Sequence, residues 1–261
     1  MGIVRGKLST DRAVSCAGIA VTDGSAAPDM AEGTSHARTG HSGTPLRDSG
    51  RNVAGTLLRL AGYYGFIQLY LWWVLPQNHL PLTVAGGLVI LGIILLDPLA
   101  RRESAAGLGL GFGQFLSAAR ALLPGTLLLA ALTLAVGLLV PGGGHGARFW
   151  LRVWNILPWA LLQQTLLQAT FNRRLSHAFG PGWCAALING ACFSLMHLPG
   201  ALLTAVTLLT GVWWSRVYQK RPNLWALVIC HALLSALAQS WLPGAWTHGF
   251  RVGPGWYRWH G

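Results

Sequence analysis

Seven apolar stretches follow one another along the chain, at about 55–75, 81–97, 122–140, 151–171, 183–199, 201–215 and 223–242, with basic residues between them. Soluble domains carry about 25% charged residues. Here charged residues make up 10% of 261 and hydrophobic residues 52%, too little polar surface to clothe a water-soluble fold. A transmembrane helix needs about 20 predominantly apolar residues. The expected fold class is therefore all-α, a polytopic membrane helix bundle of about seven transmembrane helices. The fifth and sixth stretches are short, so they are expected to tilt or to form a partly re-entrant pair around Pro199-Gly200. The 34 Gly and 13 Trp suit close helix packing and aromatic belts.

The flanks differ from this core. Residues 1–54 are rich in Gly, Ser, Ala and Thr and lack hydrophobic periodicity, as in a disordered polar tail. They lack the continuous apolar core of a signal peptide, and Met30 offers an alternative start. Residues 55–242 form the expected transmembrane domain. Residues 243–261, with Trp246, Trp256, Tyr257 and Trp259, read as an aromatic-rich interfacial tail. The segment 103–120 also reads as interfacial. Its GLGLGFG run is no dinucleotide loop, because no strand precedes it and the spacing is wrong.

Charge placement sets an expected orientation. The net charge is +12, and after residue 54 the only acids are Asp97 and Glu103. Basic residues that punctuate apolar runs indicate membrane loops rather than a nucleic-acid surface. With seven spans, Arg59, Arg101, Arg102, Arg120, Arg173, Arg174, Arg216, Lys220 and Arg221 share one side, against Arg148, Arg152, Arg251 and Arg258 on the other. This asymmetry places the N-terminus in the cytoplasm and fits a bacterial inner membrane. Cys16, Cys184, Cys192 and Cys230 form no CxxC pair and read as small packed hydrophobes.

Three stretches carry polar stripes. Gln164, Gln168 and Asn172 recur at i, i+4, i+8, with Gln163 adjacent; so do Asn189, Phe193 and His197, and then His231, Ser235 and Gln239. This spacing puts each set on one helix face. Polar groups in hydrocarbon are costly and turn to the bundle interior, so three such faces imply one shared cavity. Interhelical hydrogen bonding, on the order of 1 kcal/mol per pair, is the purely structural alternative.

The runs Gln163-Gln164-Thr165-Leu166-Leu167-Gln168, Phe193-Ser194-Leu195-Met196-His197 and His231-Ala232-Leu233-Leu234-Ser235 resemble the CPBP family of CAAX proteases and bacteriocin-processing intramembrane proteases. Its pattern is EExxxR, FxxxH and HxxxN on three helices in this order, matched here over about 150–240. The second motif is intact. Ser235 stands where Asn is usual, Gln163 and Gln164 replace both Glu, and Gln168 replaces Arg. The resemblance implies a peptidase whose first Glu activates water, with two His and the Asn arranging water and oxyanion. By position, Gln163 takes the place of the base. Gln164, His197, His231 and Ser235 complete the catalytic set, with Gln168, Asn189, Phe193 and Gln239 in support.

The glutamines change the chemistry. An amide orients water but is a negligible base, so in an active enzyme His197 or His231 must take the proton. Exchanging a buried Glu–Arg pair for Gln–Gln removes both charges together and orphans neither. Asp97 reads as an interfacial residue, not a replacement base. No cofactor is expected. Zinc at His197 and His231 would have only two good ligands, because Cys230 points about 100° away from its neighbour on a helix. Depth is a further constraint: His197 falls near the outer end of its stretch and His231 in the inner half of its own. Two readings stay open: an endopeptidase acting on membrane-proximal peptides or prenylated tails, or an inactive membrane scaffold that holds a peptide, lipid or partner helix. A transporter fits less well, because no inverted repeat is visible.

Overall fold

Each apolar stretch holds a helix in the structure, a computed structural model that describes residues 46–142, 146 and 148–259. Among the described residues all regular structure is helical, with no strand. The long helices are α1 (Leu46–Leu69), α2 (Leu80–Ala100), α3 (Phe115–Leu139), α4 (Phe149–Gln164), α6 (Trp183–Leu195), α7 (Ala201–Lys220) and α8 (Leu224–Trp241). A π-helical stretch, Thr165–Asn172, carries α4 directly into a short α5 (Arg173–Phe179). Two four-residue helices, α9 (Gly244–Thr247) and α10 (Pro254–Tyr257), close the chain.

Among the described residues three helices, α2, α3 and α8, are long and apolar enough to cross a membrane. At 13 residues α6 reaches only about 20 Å, short of the roughly 30 Å hydrocarbon core. Helix α7 has 20 residues, but Thr, Ser and Arg side chains dilute its apolar character.

The first helix begins at Leu46, inside the stretch expected to be a polar tail; the rest of that tail lies outside the described residues. Helix α3 likewise starts at Phe115, seven residues before the apolar run expected at 122.

Helix α8 lies between α3 and α4, and α6 packs along α7. Gly190 and Gly211 allow the second pairing: a Cβ on Gly211 would stand 3.0 Å from the Gly190 Cα. Small residues at a membrane helix crossing let backbones approach in this way. The π-helical stretch runs through the middle. Every residue from Leu166 to Asn172 is buried, with Leu166 and Phe171 packed toward α1 and α2, and Leu167 and Ala169 toward α7 and α8. A lipid-facing helix buries one stripe; this segment has no lipid face.

The Gly-rich run folds against the α7–α8 turn. Five successive carbonyls accept hydrogen bonds: Gly107 from Arg173, Leu108 from Tyr218, Gly109 from the Leu224 N–H, Leu110 from Trp225 and Gly111 from Asn223. Asn223 also caps α8, its Oδ1 accepting from the Ala226 N–H at 2.9 Å. Asp97, at the end of α2, is buried beside this loop. It accepts from Arg174 Nε and Nη2 at 2.9 and 2.7 Å, while Arg174 Nη1 reaches Glu103 at 2.5 Å. Burial opposes the Arg174 charge, but the two carboxylates more than offset it and hold the guanidinium above its ordinary pKa.

At the other end, the segment after α8 returns over the turn that follows α6. The Gly253 N–H donates to the Leu198 carbonyl at 2.7 Å. Trp256 stands beside Gly200 and stacks on His248 at 3.9 Å.

Candidate active site

The first and third polar runs meet directly. Gln164, on the last turn of α4, contacts His231 of α8 through Nε2 and Nδ1 at 3.1 Å. Behind it, Gln168 Nε2 donates to Gln164 Oε1 at 3.5 Å, and Asn172 Nδ2 donates to Gln168 Oε1 at 2.9 Å. Gln164, Gln168 and Asn172 are fully buried. Straight α-helical geometry advances about 100° per residue, so eight residues leave about 80° of drift. The wider turns of the π-helical stretch take up that drift and keep the three amides in one file. π-Helical insertions within α-helices are frequent at functional sites.

Gln163 faces elsewhere. With Phe193, Met196, Cys192 and three apolar side chains it lines a cavity of about 20 Å³ between the end of α4 and α6. That is room for one water.

His197 lies in the turn after α6. Its Nδ1 is 2.8 Å from the Phe193 carbonyl oxygen. A carbonyl only accepts, so in the neutral ring Nδ1 carries the proton and Nε2 keeps a free lone pair. Phe193 joins the two histidines: its ring lies 4.8 Å from the His197 ring and 6.2 Å from the His231 ring, edge-on to both at 81°. The expected depth mismatch is thus bridged by one aromatic side chain.

The other expected residues are more scattered. Asn189 is buried, but its Nδ2 donates to Ser215 Oγ of α7, placing it in the α6–α7 crossing. Ser235 stands one turn beyond His231 and is half-buried. Gln239 is exposed and does not join the cluster; α8 stays α-helical, so the i+8 position rotates away from His231. Arg152 donates to the Gln239 backbone carbonyl. Cys230 turns its sulfur to Thr126 of α3 at 2.8 Å, leaving two imidazoles where a catalytic zinc takes three protein ligands.

Three α7 residues at the site carry no expectation from the sequence. Trp214 packs 5.1 Å from His231. The Ser215 carbonyl and Gln219 both bind Asn172. The signal was present: Gly211, Ser215 and Gln219 repeat the i, i+4, i+8 spacing of the other stripes.

A family model described as Type II CAAX prenyl endopeptidase Rce1-like matches residues 60–237. The chain belongs to this family. Its members are membrane proteases, and the matched span contains every motif residue from Gln163 to Ser235, while Gln239 and the α9–α10 segment lie beyond it. No curated protein and no solved structure matches. With family and apolar helices together, the chain is an integral membrane protein.

Proposed function

We propose that this Rce1-like protein is an active CAAX-type intramembrane endopeptidase that cleaves a membrane-proximal peptide or a prenylated protein tail, with His197 as general base. The carrying observation is the His197–Phe193 carbonyl bond, which leaves Nε2 bare. In this reading Gln163 orients the attacking water and His197 Nε2 takes its proton. The oxygen adds to the scissile carbonyl, with His231 and Ser235 next to the oxyanion. The proton on His197 then passes to the leaving amine, so the base is regenerated. The reading uses no cofactor.

Seven membrane crossings, a cytoplasmic N-terminus and a bacterial inner membrane belong to the same proposal. They rest on the basic asymmetry and on one helix in each apolar stretch. The partners are membrane lipid and the peptide or protein-tail substrate.

The paired glutamines at 163 and 164 favour a second reading, an inactive scaffold whose cavity holds a peptide, lipid or partner helix. A panel of membrane-tethered peptides separates the two. Wild type cleaves and His197→Ala does not if the enzyme reading holds. No cleavage across the panel, with binding that still depends on His197 and His231, favours the scaffold.

A further inference from the structure

A neutral imidazole carries its proton on one of two nitrogens, and the choice decides whether Nε2 accepts or donates. For His231 the contact with Gln164 does not settle this alone, because a primary amide can present nitrogen or oxygen. The fixed point lies three side chains away. Asn172 Nδ2 is 3.1 Å from the backbone carbonyl oxygen of Ser215. A carbonyl has no proton to give, so Asn172 must turn its NH2 toward it. The same NH2 faces Gln168, which therefore presents its oxygen there, at 2.9 Å. The Gln168 NH2 then points to the Gln164 oxygen, and the Gln164 NH2 points to His231 Nδ1. The far side of Asn172 agrees: its Oδ1 accepts from Gln219 Nε2 at 2.9 Å, and Gln219 Oε1 accepts from Arg216 at 2.6 Å. Every donor in this chain of amides points toward His231. The three middle amides are fully buried, away from competing water.

We infer that Asn172, anchored on the Ser215 carbonyl, is a positioning residue that holds His231 in the tautomer with its proton on Nε2. The inference deepens the endopeptidase reading and rests on it. An Nε2–H donates to a developing oxyanion and cannot abstract a proton, which leaves that task to His197. Asn172, Ser215 and Gln219 all lie outside the three motif runs; two of them belong to α7, which carries no motif.

The test is ¹⁵N NMR of the full-length protein in lipid nanodiscs, with its nine histidines labelled. The pH is set near 8, above the ordinary imidazole value of about 6.5. His231→Ala assigns the His231 resonances. Wild type is expected to show one His231 tautomer, with Nε2 protonated and Nδ1 bare. Asn172→Leu removes the anchor, and the single tautomer becomes a mixture. Gln219→Leu leaves the Ser215 anchor in place, and the wild-type pattern persists. Gln164→Glu sets a pure acceptor against Nδ1 and brings a proton onto it.

A wild-type proton on Nδ1 overturns the inference, as does an unmixed Nε2–H signal in Asn172→Leu. Should Asn172→Leu fail to fold, the wild-type and Gln164→Glu spectra still decide; a bare Nδ1 in Gln164→Glu overturns the relay. The readout is a ring resonance rather than turnover. A protein that cleaves nothing but shows the expected tautomers loses the endopeptidase reading alone; a cleaving protein with mixed wild-type tautomers loses the relay alone.

Discussion

Gln164 and His231 meet at 3.1 Å across the α4–α8 packing, although 67 residues separate them in the chain. Gln163, one residue earlier, does not share that contact and lines the cavity beside Phe193 and Met196 instead. Neighbours on a helix point about 100° apart, so two adjacent glutamines serve different partners. One supports a histidine; the other faces the space where water fits.

This division predicts unequal effects for two similar substitutions. Gln163→Glu puts a carboxylate at the water cavity and should raise peptide cleavage, by about 100- to 10,000-fold for added general-base power. It should also lower stability, because the side chains that line this cavity with residue 163 are Leu, Phe, Cys and Met and offer the new charge no cationic partner. Gln164→Glu adds its charge at His231 instead and should give no such gain. Cleavage rates of the two variants on one membrane-tethered peptide decide; a larger gain from Gln164→Glu would reverse the assignment.

The sequence shows each of the long helices as an apolar stretch, and it shows Gln164, Gln168 and His231 as inward-facing. It does not show the π-helical stretch. The i, i+4, i+8 spacing of Gln164, Gln168 and Asn172 is the same as that of His231, Ser235 and Gln239, yet one file stays aligned and the other drifts outward to an exposed Gln239. Side-chain spacing carries no record of which carbonyl each backbone N–H chooses. The pairing of Asp97 with Arg174 is hidden for another reason: 77 residues separate them, and no local pattern links them.

That buried ion cluster is expected to matter for stability. Arg174 is 2% exposed and is the shared partner of Asp97 and Glu103. Arg174→Met leaves both carboxylates without their main counter-charge. Removing one partner of a buried pair costs about 3–5 kcal/mol. Thermal unfolding in detergent checks this, and an unchanged midpoint would show the cluster to be dispensable.

The α6–α7 crossing should tolerate no added side chain at Gly190. A Cβ there would stand 2.5 Å from Val212 Cγ2 and 2.8 Å from the Val212 backbone nitrogen. The backbone cannot give way as a flexible side chain can, so Gly190→Ala should destabilise by about 1–3 kcal/mol, the usual cost of overpacking. Thermal unfolding again provides the measure. Gly87→Ala serves as the tolerant control, because a Cβ at Gly87 would meet nothing within 4 Å.

Orientation has its own test. A reporter fused after Arg174 should report a cytoplasmic location, as the basic asymmetry requires. An external signal from that fusion would defeat the seven-span arrangement.

The central claim is that the bare Nε2 of His197 takes the proton from water. Its most direct test is cleavage by wild type and His197→Ala across pH, with and without added imidazole. Wild-type cleavage should be lost in acid, where the ring takes up a proton and Nε2 no longer offers a lone pair. Folded His197→Ala should lose cleavage and regain part of it when free imidazole supplies the missing base. Wild-type rates from His197→Ala without imidazole would contradict the account.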